Sequence, residues 1–205
     1  MSAQPNTVFL VDDDDAVRDS VSLLMRSAGL HTREFDSARA FLEGYDQDQP
    51  GCLLLDVRMP GMSGLELQKE LNKRNHTLPI VFISAHGDIP MAVEAVRHGA
   101  VDFIQKPFDD LELLSKVKQA LASSEQRFAE ETERLEICRR TASLTARERE
   151  VMSQVVKGKA NKVIASDLGV SQRTVEIHRA RVMEKMQAAS LAQLVRMVLI
   201  SEASI

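Results

Sequence analysis

The apolar positions along the chain fall into two regimes. Through the first ~120 residues, short apolar runs alternate with stretches in which apolar residues recur at three- and four-residue spacing. The runs at Val8–Val11, Cys52–Leu55, Ile80–Ile83 and Val101–Ile104, with a weaker one at His31–Phe35, predict buried strands. Between them, helices are marked by Val17, Val21, Leu24 and Met25, then Ala38, Phe41 and Leu42, then Leu65, Leu67 and Leu71, then Met91, Val93, Ala95 and Val96. Gly29, Gly61, Gly64, Gly87 and Gly99 fall between elements, where turns are needed. Such strand–helix alternation predicts an α/β domain: a flavodoxin-like, doubly wound, five-stranded parallel sheet.

From Asp109 to about Arg140 there is neither Pro nor Gly, which predicts one long helix that closes the sheet domain and runs on as a linker. Leu114, Leu121, Phe128 and Leu135 repeat at heptad spacing, with Val117 and Cys138 at partial seam positions and Ser124 and Glu131 interrupting. Two readings stand. One is a short coiled coil. In the other, Leu111, Leu114 and Val117 pack on the sheet and the remainder is a solvated connector.

After Ser143 the pattern is helical only. Thr145-Ala146-Arg147-Glu148 forms a capping box, and Gly158 ends the helix that it opens. A second helix spans Asn161–Leu168 and stops at Gly169. Ser171 caps a third that reaches Met186, and Ser190 caps a fourth. The expected organisation is a sheet domain at 1–122, a helical linker at 123–141 and an all-α, four-helix domain at 142–205.

Composition adds a division of charge. The net charge of −4 combines −9 over residues 1–139 with +5 over residues 140–205, so only the second part is suited to a polyanion. Aromatic residues make up 4% and Trp is absent, so the cores must be mostly aliphatic. Cys52 and Cys138 have no metal-ligand spacing and no disulfide framework. The first residues, MSAQPNT, lack the features of a signal peptide, and no apolar run nears the ~20 residues of a membrane helix. A cytoplasmic protein that engages no membrane is expected.

In open parallel sheets, function gathers at the carboxyl ends of the strands. Here the first strand runs into Asp12 and Asp13, the third into Asp56, the fourth into Ser84 and the fifth into Lys106-Pro107. An Asp after a strand is often only a cap for the next helix, and a Lys before Pro only a surface turn. Acidic, hydroxyl and basic groups at successive strand ends point instead to one pocket. Clustered carboxylates repel unless a cation is present. Oxygen-only donors suit Mg²⁺ (or Mn²⁺), and an Asp can act as nucleophile towards phosphorus.

VFLVDDD, LLLDVRMPGMSG, IVFISAHGD and GAVDFIQKPF resemble the signature segments of bacterial response-regulator receivers, over residues 7 to about 122. The resemblance implies that Asp56 is the phosphorylated residue, and that Asp12, Asp13 and Asp56, with the backbone carbonyl of Arg58, hold the metal. It makes Ser84 the switch hydroxyl, Lys106 the phosphate-binding lysine and Phe103 the aromatic switch. The family often has Tyr at that last position, so burial of the ring must carry the signal here. It also implies a sensor histidine kinase docking near Val17 and Ser20–Val21, and receivers that pair when phosphorylated. Arg58 and His86, each two positions beyond Asp56 and Ser84, flank the expected water path and are candidates to set the lifetime of the phosphate, against the plainer reading of two exposed side chains.

In the basic domain, the second and third helices follow a helix-turn-helix plan. Ala165, Leu168 and Val170 should pack the pair, and Val175, Val182 and Met186 should form a buried stripe. Lys162, Arg173, Thr174, Glu176, Ile177, His178, Arg179, Ala180, Arg181 and Lys185 are the candidate DNA contacts, with Glu176, Ile177 and Ala180 nearest the bases. A merely basic helical bundle is the plainer alternative. SLTARERE, NKVIASDLGVSQRTVEIHRARVMEKM and SLAQLVRM resemble the LuxR/NarL-type helix-turn-helix, and the whole chain resembles the FixJ-type response regulators. That implies a two-component regulator acting on double-stranded DNA at a two-fold operator, with RNA polymerase as a further partner. It implies no enzyme activity beyond phosphoryl transfer to its own Asp56 and slow autodephosphorylation.

Three other readings have weaker support. The promoter-reading region of sigma factors resembles the last domain alone, but an acidic receiver precedes it. A phosphohydrolase of the Asp-nucleophile kind usually has an acid/base Asp where Arg58 stands. An RNA-binding antiterminator fits the receiver, but not the basic helix-turn-helix.

Overall fold

The computed structural model describes residues 6–46, 49–74, 76–85 and 89–202. The chain divides into two compact units, Met1–Phe128 and Ala129–Ile205. In the first, β1 (Thr7–Val11), β2 (His31–Phe35), β3 (Gly51–Asp56), β4 (Ile80–Ser84) and β5 (Asp102–Gln105) form one sheet in the order β2-β1-β3-β4-β5, with every pairing parallel. Helices α1 (Asp15–Ser27), α2 (Ala38–Gly44), α3 (Gly64–Lys73) and α4 (Ile89–Arg97) connect the strands, and α5 (Asp110–Ala142) follows.

The two-residue pleat sorts the strand side chains between two cores. Phe9, Val11, Leu53, Leu55, Ile80 and Phe82 pack with Ala38, Phe41, Leu67, Leu71 and Ala95 of α2, α3 and α4. Val8, Leu10, Cys52, Leu54, Val81, Ile83 and Ile104 pack with Val21 and Met25 of α1 and with Leu113, Val117, Ala120 and Leu121 of α5. Coverage of both faces explains why β1, β3 and β4 read as apolar runs, while the edge strand β2 is only half-buried.

In two helices the buried face departs in part from the apolar spacing. In α4 only Ala95 is buried, and Val93 and Val96 are 42% and 55% exposed. In α5, Leu111 is 76% exposed and Leu113 takes the sheet-facing place. The Asp109 carboxylate accepts from the N–H groups of Leu111 and Glu112 and so sets where that helix begins. From that start Leu113, Val117, Ala120, Leu121 and Ser124 fall on the buried side. Ser124 Oγ accepts from the buried N–H of Gly51 at 3.0 Å.

The second unit packs Ile137 of α5 with α6 (Ala146–Val156), α7 (Asn161–Leu168), α8 (Gln172–Met186) and α9 (Leu191–Glu202). Its caps are those the sequence announces. Thr145 and Glu148 form a reciprocal capping box, Gly169 ends α7 with a left-handed φ of 64°, and Ser171 Oγ accepts from Thr174 N at 3.0 Å. Val175, Val182 and Met186 are the buried stripe of α8, and Leu168 and Val170 pack against the same core. Arg140 donates to the Met186 carbonyl at 3.2 Å, and Arg196 Nη2 donates to both carboxylate oxygens of Glu133 at 3.0 and 3.1 Å. Phe128 and Leu135, members of the heptad, are 44% and 56% exposed. Among the described residues, no helix is long and apolar enough to cross a membrane.

Candidate functional site

Strand register brings the predicted groups to one edge of the first unit. Val11 pairs with Leu55, so Asp12 and the β3 terminus Asp56 leave the ladder side by side. Asp56 pairs with Ile83, and Ser84 pairs with Gln105, so Ser84 and then Lys106 each follow one step further along. The Lys106–Pro107 peptide is cis.

The ammonium of Lys106 donates to Asp12 Oδ2 at 2.6 Å and to Asp56 Oδ1 at 2.8 Å. The other oxygens are also engaged: Asp14 N donates to Asp12 Oδ1 at 3.0 Å, and Arg58 N donates to Asp56 Oδ2 at 2.6 Å. Asp12 and Asp56 are 1% and 6% exposed. Burial raises the Asp12 carboxyl above its ordinary value despite the lysine beside it. Burial also pulls the Lys106 ammonium down, but its bonds to the two carboxylates win and hold it above its ordinary range. Ser84 ends β4 and is buried. Phe103 is half-buried, its ring stacked on Phe82 with centroids 6.2 Å apart.

The backbone allows this closeness at Gly64. Its N–H donates to the Val57 carbonyl at 3.0 Å, which lays the start of α3 against the exit of β3. A Cβ there would stand 2.2 Å from the Asp56 carbonyl oxygen.

Two carboxylates against one ammonium leave the pocket net negative, and its donors are all oxygen. Mg²⁺ commonly takes one or two protein carboxylates and completes its shell with water and phosphate oxygens, so Asp12 and Asp56 suit it. Asp13 follows Asp12 at the same strand end with its residue exposed, and among the described residues no three Asp, Glu, His or Cys side chains stand together as a ready-made ion site. Arg58 is exposed, and its own N–H is turned to Asp56. His86 lies outside the described residues.

Sequence reasoning overlooked Arg18. It closes the first turn of α1, its side chain only 14% exposed, and it donates to the Asp12 carbonyl oxygen at 2.6 Å. The available signal was a cation placed one helical turn after the acidic run Asp12–Asp15.

In the second unit the predicted contact residues divide. Lys162, Arg173, Ile177, Ala180 and Arg181 are exposed. Arg173 pairs with Glu176 at 3.2 Å, and Thr174 is bound into the Ser171 cap. Arg179 donates to Asn161 Oδ1 at 2.8 Å, joining α8 to the first turn of α7. His178 is half-buried, and its buried Nδ1 has no partner among the described residues. Lys185 departs furthest from expectation. Its ammonium donates to Glu148 Oε2 at 2.6 Å and approaches the Ser143 carbonyl at 3.5 Å, so the structure engages it in holding α6 to α8. That ammonium and the N–H of Thr145 pull the Glu148 carboxyl down to about 2.

Residues 8–118 match the response regulator receiver domain, and residues 142–198 match the luxR family of bacterial regulatory proteins. The chain is 50% identical to the transcriptional regulatory protein FixJ of Azorhizobium caulinodans, over 95% of its own length and 92% of the relative. It is 43% identical to the response regulator protein TodT of Pseudomonas putida, over 96% and 86%. Among solved structures it is similar to the response regulator StyR, with a TM-score of 0.88 at 45% identity over 95% of this chain and 98% of that one. Full-length FixJ from B. japonicum follows, with a TM-score of 0.58 at 42% identity over 98% of each.

Proposed function

For this chain, which belongs to the two-component response regulators that join a receiver to a luxR-type DNA-binding domain, we propose that phosphorylation of Asp56 controls DNA binding. The observation that carries the reading is the Lys106 ammonium shared between buried Asp12 and Asp56. A sensor histidine kinase presents a phosphohistidine. The Asp56 carboxylate attacks phosphorus, a P–O bond forms as the P–N bond breaks, and the departing imidazole nitrogen keeps the electron pair and takes a proton. Lys106, already at hydrogen-bond distance from Asp56, receives a phosphoryl oxygen. Asp12, Asp13, Asp56 and the Arg58 carbonyl would hold Mg²⁺ or Mn²⁺, which supplies charge neutralisation at phosphorus. Transfer ends on Asp56, with slow autodephosphorylation and no other substrate. Exposed Arg58, with His86, sets the lifetime of the phosphate: Arg58→Ala and His86→Ala should lose it faster than wild type.

The new charge draws the Ser84 hydroxyl towards the phosphate and Phe103 fills the space vacated. Ile89, Val93 and Val96 present one apolar stripe of α4, 81%, 42% and 55% exposed, which supports pairing of two receivers. Pairing joins two helix-turn-helix units on a two-fold DNA site, raising affinity without new protein–DNA contacts. Transcription is then activated through RNA polymerase, in the cytoplasm. A groove lined by Ser20, Val21, Leu24 and Phe108 supports the expected kinase docking on α1.

The test uses acetyl phosphate as donor. Wild type with Mg²⁺ should give a phosphorylated band on a phosphate-affinity gel and bind duplex fragments selected from a random pool. Asp56→Asn should do neither beyond its basal level. Undiminished binding and activation by Asp56→Asn under inducing conditions would refute the scheme. Preference for RNA over duplex DNA would favour the antiterminator reading.

A further inference from the structure

We propose that Arg18 is a positioning residue for the phosphoacceptor pocket: it clamps the turn between β1 and α1 so that Asp12 and Asp13 are presented to the divalent cation beside Asp56. The role presupposes the cation-assisted pocket proposed above.

A long cationic side chain beside four consecutive acidic residues would ordinarily be solvated. Arg18 is instead drawn in, its side chain 14% exposed where that of Asp15 is 86% exposed. Nη1 donates to the Asp12 carbonyl oxygen at 2.6 Å, and Nη2 donates to the Asp15 carboxylate. The fork thus spans the turn from the end of β1 to the first residue of α1.

The bond to the Asp12 carbonyl completes a set. Asp12 N donates to the Phe35 carbonyl at 3.2 Å. Asp12 Oδ1 accepts from Asp14 N at 3.0 Å, and Oδ2 accepts from Lys106 at 2.6 Å. Each polar atom of Asp12 is therefore held by a different stretch of chain, and Arg18 is the donor to the carbonyl. That carbonyl shares one rigid peptide plane with the N–H of Asp13. Fixing it fixes the direction in which Asp13 leaves the strand. Arg18 acts on Asp13 through that plane, while the Asp13 side chain stays exposed and available.

A competing account treats Arg18 as a simple counter-charge for the acidic run. The two accounts differ in sign. A counter-charge competes with a metal cation, so its removal would tighten Mg²⁺ binding. A clamp that pre-orders the ligands does the opposite, because loosening a residue that supports metal ligands weakens affinity.

The experiment titrates MgCl₂ into the full-length, unphosphorylated protein by isothermal calorimetry, with Mn²⁺ binding followed by electron paramagnetic resonance. Arg18→Met keeps the apolar stem without charge, and Arg18→Lys keeps the charge without the fork. Both should bind Mg²⁺ about 10-fold more weakly than wild type, the scale seen when residues supporting metal ligands are removed. Asp15→Asn, which removes the charge but keeps an amide oxygen to accept from Nη2 and leaves the Asp12 bond in place, should stay close to wild type. Labelling by acetyl phosphate should be slow in Arg18→Met at low Mg²⁺ and recover at saturating Mg²⁺, which a general folding defect would not do. Equal or tighter binding in Arg18→Met would overturn the role, as would wild-type binding in Arg18→Lys or an equal loss in Asp15→Asn. If wild type itself binds no Mg²⁺, the pocket reading fails and takes this role with it.

Discussion

Gly64→Ala should damage the proposed phosphoacceptor site through a single added methyl group. The added Cβ would stand 2.2 Å from the Asp56 carbonyl oxygen, 3.1 Å from its carbonyl carbon and 3.0 Å from Leu55 Cγ. Ordinary contact begins near 3.4 Å, so something must move by about 1 Å. Leu55 is fully buried and Asp56 is held in the β3–β4 ladder, so the strain falls on the backbone of Asp56. Helix propensity and chain entropy favour Ala by up to about 1 kcal/mol. Overpacking a rigid site costs about 1–3 kcal/mol, and contact with backbone rather than a movable side chain puts this case at the upper end. The expected net loss is about 1–2 kcal/mol, or roughly 4–8 °C in the melting temperature of a domain this size. Displacement of the nucleophile by about 1 Å can slow a reaction by about 100-fold, so acetyl phosphate labelling should fall by more than the stability loss explains. Calorimetry gives the first quantity, and timed labelling of the folded fraction gives the second. A Gly64→Ala protein with unchanged melting temperature and unchanged labelling would refute the reasoning.

In the second unit, Ile137 is 2% exposed in the core, so Ile137→Ala should cost about 2–4 kcal/mol in urea unfolding of that unit. A fragment beginning at residue 142, which lacks Ile137, Arg140 and Glu133, should be less stable than one beginning at 129, as read by the same melts. The depressed carboxyl of Glu148 makes stability pH-dependent. Its folded-state value of about 2 lies below the ordinary 4.5, so its contribution is complete above 4.5 and is lost as pH falls towards 2. Thermal melts of the 129–205 fragment should show that dependence in wild type and a weaker one in Glu148→Gln. Exposed Arg181 should act on phosphates: Arg181→Ala should weaken binding to all duplexes alike and reduce the salt slope by about 1. Ile177→Ala should change sequence preference instead, as read by selection from random duplexes.

The sequence made the sheet legible because both of its faces are buried. β1, β3 and β4 became apolar runs ending in chemically distinctive residues, and β1 to β5 lie within about one residue of where the sequence pattern predicts them, the edge strand β2 on a weaker signal. Caps were legible for a similar reason, since Thr145–Glu148 and Ser171 act within one turn of themselves. Phase was harder to read. Leu111 and Leu113 are both good candidates for the sheet face of α5, and the choice rests on Asp109 fixing where the helix begins. Val93 and Val96 are as apolar as core residues, yet α4 presents them outward, so apolar spacing marks a helix without saying what covers it.

Charged side chains were the least legible, and Lys185 and Arg18 show why. Lys185 sits on a basic helix, where pattern alone assigns it to DNA. What fixes its ammonium is Glu148, which the capping box of α6 holds in place. Arg18 sits in an acidic run, where pattern alone assigns it to solvent. What fixes its guanidinium is a main-chain carbonyl, a group that every residue has and that no side-chain pattern can announce. A long cation takes its role from the acceptors that the fold sets within its reach, and those come from distant segments or from the backbone. Strand ends escape this difficulty because the parallel register itself brings Asp12, Asp56, Ser84 and Lys106 together. The grouping of these four residues could therefore be read from sequence, while the contacts of Arg18 behind it and the engagement of Lys185 with Glu148 needed coordinates.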